Sequence, residues 1–215
     1  MRLVLTILIL IYTDRSPVYP EVSSWGLVPH WVKNKDQLKK VWNSNLNARG
    51  ETIFEKPSFR EAAKNSRCII YIDGFYEHHH FNGKTYPFYI EKKDHSPMAL
   101  AGLWSDWYEA NTKTWLNTFS IVTTTGNSMM SKIHNNPKLN GARMPVILHS
   151  ELENEWLKPV HDDLDKQQLE KMISAFPENK LEAYTVGRLR GKEYMGNVPD
   201  VSEELVYEEL VYSHI

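Results

Sequence analysis

Short apolar runs, separated by turn residues, set the pattern of this chain. Cys68–Ile72 is apolar and rich in β-branched residues and reads as a largely buried strand. Asp73-Gly74 breaks the run where a bulge or tight bend belongs, and the strand continues to Tyr76, with Glu77 at its end. Asn82-Gly83 is a two-residue hairpin turn joining this strand to a partner over Thr85–Glu91. Met98–Trp104, Thr118–Thr125, Arg143–His149 and Leu181–Val186 read as further strands. Leu3–Tyr12 is an apolar run too short for the roughly 17–25 residues that span a bilayer. Its β-branched content favours a buried strand over a targeting segment, for which Thr13-Asp14-Arg15 offers no small-residue cleavage site. Arg15–Pro20, with Pro17 and Pro20, reads as a loop.

Helical signals are shorter and lie mostly toward the C-terminus. Lys35–Trp42 can form a short helix. Ser58–Glu61 is a capping-box pattern that opens a helix through about Asn65, and Ser150–Glu153 is a second, leading to about Leu157 before Pro159. Leu169, Met172, Ile173 and Phe176 form a helical stripe over Asp165–Phe176. The tail carries EELVYEELVY, a five-residue repeat too short for a solenoid. No linker separates two halves. The expectation is one α+β domain over residues 1–215, with a mixed or antiparallel sheet and helices at its edges.

Bulk composition changes this picture little. Hydrophobic residues are 41% and charged residues 24%, the balance of an ordinary globular protein. One cysteine rules out an internal disulfide and fits a reducing, cytoplasmic setting. The formal net charge of −2 carries no global signal for nucleic acid. The distribution says more: Lys33, Lys35, Lys39, Lys40 and Arg49 face only Asp36 between Trp31 and Arg49, while Asp200–Ile215 holds acids and no Lys or Arg. A local basic face can take phosphates, and a solvated helix face is the plainer alternative.

Three clusters bear on chemistry. Glu77, at a strand end among aromatics, is a candidate general acid, against a merely solvated carboxylate. His78-His79-His80 invites a metal, but no second ligand group stands at a recognised spacing; in a strand His78 and His80 share one face and His79 takes the other. A surface hairpin with three histidines, no metal and no small-molecule cofactor is expected. Cys68, inside an apolar run, reads as a small buried hydrophobe.

Several short motifs then fall in a distinctive order. They are WGLVPHW (Trp25–Trp31), NARGET (Asn47–Thr52), PSFR (Pro57–Arg60), RCIIYIDGFYE (Arg67–Glu77), YPFYI (Tyr86–Ile90), ALAGLW (Ala99–Trp104), TFSIVTTTGN (Thr118–Asn127), IH (Ile133–His134) and RMPVIL (Arg143–Leu148). Over Trp25–Leu148 the chain resembles the SOS response-associated peptidase (SRAP) domain family, the abasic-site processing proteins. The resemblance implies a single α+β domain on a barrel-like sheet that binds single-stranded DNA and captures abasic sites. In the family, a cysteine directly after the initiator Met, exposed by autoproteolytic removal of that Met, closes a thiazolidine with the ring-opened sugar through its thiol and α-amine. The resemblance implies that Asn47 hydrogen-bonds the linkage and Arg49 grips a phosphate. Glu77 is then the acid/base on sugar opening, and His134 orients the sugar and shuttles a proton. Arg143 contacts the DNA backbone and Trp25 stacks on a base beside the lesion. Glu77 and His134 are expected within reach of one sugar, with Asn47 alongside.

Two departures qualify this. Asn135–Ala142 is inserted between the histidine and the arginine, which the family keeps close. Residue 2 is Arg2, so the family's nucleophile is absent at that position, and only Met1–Ser24 precedes the Trp25-Gly26 motif. The chain therefore reads as shortened, started at the wrong codon, or naturally without the nucleophile. The first expectation is an abasic-site processing protein by descent whose covalent capture is in question. The alternative is a non-catalytic single-stranded DNA-binding module of the same fold, and a third reading is an N-terminal targeting or anchoring segment with an unrelated role. No membrane partner is expected.

Overall fold

The computed structural model describes residues 7–210. Arg2, the start of the Leu3–Tyr12 run and the end of EELVYEELVY lie outside the described residues. In chain order the elements begin with β1 (Leu8–Thr13), β2 (Ser16–Trp25), α1 (Lys35–Trp42), β3 (Asn47–Arg49), α2 (Arg60–Asn65) and β4 (Arg67–Ile72). There follow β5 (Gly74–Phe81), β6 (Lys84–Lys92), β7 (Met98–Glu109), β8 (Thr114–Thr125), α3 (Ser128–Ile133), β9 (Arg143–Pro145) and β10 (Ile147–Leu148). The chain ends with α4 (Glu153–Trp156), α5 (Asp163–Met172) and β11 (Leu181–Thr185). Short 3-10 turns fill several of the connections.

Two compact units divide the chain. The first takes the described part of Met1–Tyr71 together with Ala99–Thr124 and Pro145–Ser174; the second takes Ile72–Met98, Thr125–Met144 and the described part of Ala175–Ile215.

The first unit is a mixed barrel. Its strands run β10-β7-β4-β1-β2-β8-β3, and β7 also pairs with β8, which closes β7, β4, β1, β2 and β8 into a ring. β2 and β3 lie parallel to β8, while β1–β2 and β7–β8 are antiparallel. The apolar positions of these strands, with Ala62 and Ala63 from α2, Trp156 from α4 and Leu169 from α5, make the main core. A second, smaller cluster joins Trp42 of α1 to Val28, Val32 and Trp107. α1 starts at Asn34, whose side chain accepts from the Gln37 N–H 2.9 Å away, as an N-cap should.

The second unit is built on the antiparallel sheet β11-β6-β5. Asn82 (φ 47°) and Gly83 (φ 73°) make the β5–β6 turn, the left-handed pair that a two-residue hairpin demands. Gly74 permits the close approach of the two strands: a Cβ there would lie 2.6 Å from the Ile90 carbonyl oxygen and 2.4 Å from the Tyr89 ring.

Several expectations are corrected. Of Arg15–Pro20 only Arg15 lies in a turn; Ser16–Pro20 is strand, not loop: β1 and β2 pair Thr13 with Ser16 and Ile11 with Glu21, and the extra residues between hold Pro17 and Pro20 in a bulge where no ladder N–H is required. The Cys68–Tyr76 strand is two strands, because Asp73 takes the chain out of the barrel sheet and into the second sheet. The Arg143–His149 strand is likewise split at Val146. β1 is not buried throughout: Leu8 and Leu10 are 63% and 55% exposed while Ile11 is fully buried, since alternate residues of a strand face opposite ways. Neither capping box forms; the helix after Ser58 starts at Arg60, with Phe59 rather than Ser58 at its N-cap, and the one after Ser150 begins as a 3-10 turn, with no side-chain cap on either. The helix expected to reach Phe176 ends at Met172, and Phe176 is buried beyond it.

Candidate functional site

In the second unit, strand alternation puts Glu77 and His79 on one face of β5 and His78 and His80 on the other. α3 packs on β5. It is capped by Asn127, which accepts from the Met130 N–H at 2.9 Å, and it buries Met130 and Ile133. His134 closes the helix by donating its N–H to the Met130 carbonyl at 2.8 Å, and its backbone then leaves the helical region. That exit aims the imidazole at Glu77, with Nδ1 3.3 Å from Oε2. The other carboxylate oxygen of Glu77 accepts from the His78 N–H at 2.9 Å, which fixes the carboxylate plane. The two side chains are 14% and 25% exposed, enclosed but open to a small reactant.

The inserted segment is folded so that it keeps Arg143 beside His134. Gly126 donates to the Ala142 carbonyl at 2.9 Å, and Leu139 donates back to the Asn136 carbonyl at 3.0 Å. The chain returns with the main chain of Arg143 on the His134 ring: Nδ1 is 3.2 Å from the Arg143 carbonyl oxygen and 3.4 Å from its N–H. One nitrogen cannot serve both. A carboxylate and a carbonyl are both acceptors and both closer, so the proton is assigned to Nδ1, which leaves the Nε2 lone pair free.

Two residues passed over by the sequence analysis hold this geometry. The Asn135 amide grips the backbone of His80 on both sides, its Oδ1 accepting from the N–H at 2.7 Å and its Nδ2 donating to the carbonyl at 3.0 Å. His79, 6% exposed, uses Nδ1–H to donate to the Lys132 carbonyl at 2.9 Å. Lys132, His134 and Asn135 are thus tied to His79, Glu77 and His80 in turn. Strand alternation could have flagged His79; nothing local marks Asn135. Asn135→Ala is expected to cost about 1 kcal/mol, the ordinary worth of such bonds. It should also move the ring-nitrogen chemical shifts of His134 while leaving those of the exposed His95 in place. Unchanged His134 shifts in a nitrogen NMR titration would show that Asn135 positions nothing.

In the first unit, β3 pairs in parallel with β8, Asn47 opposite Ile121 and Arg49 opposite Thr123. Ala48 between them is fully buried, so Asn47 and Arg49 point the same way, outward and exposed. Trp25 ends β2 and donates its indole N–H to the Leu46 carbonyl at 2.8 Å, immediately before Asn47. One face of its ring lies parallel to Phe119, centroids 6.5 Å apart and planes 11° apart. Cys68 is fully buried in β4, and burial first, then the charge of Asp14, pushes its thiol well above the ordinary range. The structure thus brings Glu77, His134 and the Arg143 main chain together in one unit, and Trp25, Asn47 and Arg49 near one another in the other. Among the described residues, the metal-capable group is not the histidine run but Glu91, His95 and Glu182, with His95 70% exposed.

Comparison with known proteins bears on the family and the fold. The family model described as SOS response associated peptidase (SRAP) matches residues 6–192. The abasic site processing protein YoqW of Bacillus subtilis (strain 168) is 40% identical over 168 residues, which cover 77% of this chain and 68% of that protein. The abasic site processing protein HMCES of Xenopus tropicalis is 30% identical over 152 residues, covering 62% of this chain and 43% of its own length. A crystal structure of a protein from Bacteroides thetaiotaomicron superposes with a TM-score of 0.82 at 32% identity, over 93% of this chain and 82% of that one. A family match that takes in both units, and relatives similar over most of the chain, lead to one conclusion: the chain belongs to the SOS response associated peptidase (SRAP) family.

Proposed function

We propose that this protein processes abasic sites in DNA, binding the single strand and acting on the deoxyribose through Glu77 and His134. The observation that carries the reading is the 3.3 Å approach of His134 Nδ1 to the Glu77 carboxylate. A carboxylate that accepts a hydrogen bond from Nδ1–H, without taking the proton, stabilises the imidazolium formed when Nε2 accepts a second proton. Opening the cyclic sugar of an abasic site removes a proton from the anomeric hydroxyl and delivers one to the ring oxygen, and one acid–base pair can do both. Asn47 and Arg49, exposed side by side on an edge strand, suit a phosphodiester backbone: Arg49 as the cation, Asn47 as a hydrogen-bonding partner. Trp25, anchored through its N–H, has one ring face for the nucleotide next to the lesion. Arg143 is assigned to the strand as well. A reducing, cytoplasmic setting fits the single free cysteine. No helix among the described residues is long and apolar enough to cross a membrane.

Cys68 favours a second reading, a module of the same fold that binds without covalent capture, because the only thiol of the sequence is fully buried. Glu77→Gln separates the two. In the first reading it slows opening of an abasic sugar, followed by aldehyde trapping, and leaves binding intact; in the second there is no turnover to lose.

Arg49→Ala is expected to weaken single-stranded DNA binding for every sequence alike and to reduce the salt slope by about one counterion. Anisotropy titrations at two salt concentrations measure both quantities. An unchanged slope would remove Arg49 from the phosphate contacts.

A further inference from the structure

The barrel unit holds a cavity of ≈ 610 Å³ that the proposed chemistry leaves unused. It lies between α1 and the β7–β8 hairpin, whose register sets Tyr108 opposite Trp115, Trp107 opposite Leu116 and Glu109 opposite Thr114. Its volume is that of a site for a small ligand, about 300–1,000 Å³. Three features constrain what it can take.

The walls are aromatic. Trp42 and Trp107 are 7% and 5% exposed, and the Trp107 N–H is spent on the Val32 carbonyl at 2.6 Å. Trp115, by contrast, is 69% exposed and held at a tilt against Tyr108, ring centroids 5.0 Å apart. An exposed indole fixed by a neighbour is a stacking platform for a flat ring.

The rim is basic. Lys35 and Lys39, on successive turns of α1, have side chains 59% and 70% exposed. They suit an anionic group attached to that ring.

The third feature is a buried carboxylate. Glu109 is 4% exposed and lines the cavity. Its Oε1 accepts a long bond of 3.4 Å from the Asn111 N–H, while Oε2 makes no hydrogen bond and has only the Lys35 ammonium at 3.2 Å. A buried carboxylate oxygen whose close partner is an exposed lysine can also take an N–H donor from the occupant. It repels acceptors.

A flat ring, an attached anion and an N–H donor are together the features of a nucleotide. We propose that this cavity is a subsite for an unpaired nucleotide of single-stranded DNA, with the base on Trp115, an exocyclic amino group on Glu109 and the phosphate on Lys35 and Lys39. This rests on the DNA reading above. Cytosine, adenine and guanine carry the amino group; thymine sets two carbonyls beside its one N–H and would present them to the carboxylate. Ile121, the partner of Asn47, lies six residue steps along β8 from Trp115, about 20 Å at roughly 3.3 Å per residue. The same strand can therefore meet both places a few nucleotides apart.

Labelled homopolymers of equal length and without a lesion test the proposal by anisotropy. Oligo-dC is expected to bind the wild type about tenfold more tightly than oligo-dT. Glu109→Gln should bring that ratio below about two, and Trp115→Ala, at an exposed position that folding does not depend on, should weaken oligo-dC roughly tenfold. Equal affinity for dC and dT in the wild type, or a preference that survives Glu109→Gln, overturns the subsite. The two failures are distinct: no binding to any DNA, abasic or intact, defeats the parent reading, whereas binding to abasic DNA with no base preference defeats the subsite alone.

Discussion

Incubated with abasic single-stranded DNA without added reductant, a protein of this sequence leaves no heat-resistant shifted band on a denaturing gel. Closing a thiazolidine takes a thiol and an α-amine on one residue. The sequence has a single cysteine, Cys68, which lies mid-chain and so carries no α-amine. It is also sealed: Cys68 is fully buried, and a Cβ at Gly102 would come within 2.7 Å of its sulfur, which shows how closely β7 covers it. With its pKa driven well above the ordinary range by burial and by Asp14, almost none of the thiol is thiolate at neutral pH. Cys68→Ser should therefore leave DNA binding as it is. A stable band from the wild type would refute this account, and its loss in Cys68→Ser would assign the band to that thiol.

The largest stability effect is expected at Arg67. Its side chain enters the interior of the barrel unit and the residue is 1% exposed. Nε donates to the Trp156 carbonyl at 2.7 Å, Nη1 to the carbonyls of Ala63 at 2.6 Å and Lys64 at 2.9 Å, and Nη2 to the Lys158 carbonyl. One guanidinium thus satisfies the open C-terminal carbonyls of α2 and the carbonyls that end and follow α4. Asp14 is its electrostatic partner; burial raises that carboxyl above its usual range, while the Trp104 N–H at 2.7 Å and then Arg67 pull it down. Arg67→Met keeps much of the volume but strands those carbonyls and leaves Asp14 without its buried cation. The cost should be about 3–5 kcal/mol, which lowers the melting temperature by roughly 10 °C for a chain of this size. Arg67→Lys supplies the charge but not the fork, so it should fall between the two. A melting temperature within about 2 °C of wild type for Arg67→Met would mean that water replaces the guanidinium at those carbonyls.

The candidate site was legible through the order of its motifs more than through any residue taken singly. Glu77 was read as a strand end beside a break. The break is real, but it does more than bend a strand, because the residues after Asp73 pair with β6 in a different sheet. The insertion after His134 left the placement of Arg143 open. In the fold the loop closes with Gly126 on Ala142, and the main chain of Arg143 lies on the His134 ring. Alternation set His79 apart from His78 and His80, but nothing local marked Asn135, since an amide in a loop is common, and the importance of both lies in the partners they find.

The sequence by itself determined the local structure: the hairpin at Asn82-Gly83, the short helix from Lys35 to Trp42, the alternation of His78, His79 and His80, and the burial of Cys68. Each follows from backbone preference or side-chain period over a few residues. The tertiary structure alone decided which strands meet. β8 runs parallel to β2 and β3, elements about 70 to 95 residues distant, and closes the ring through β7. Arg67, Glu109 and Asn135 gained their roles in the same way. A polar group's burial and its partners depend on what the rest of the chain brings alongside, and no periodicity in the sequence encodes that.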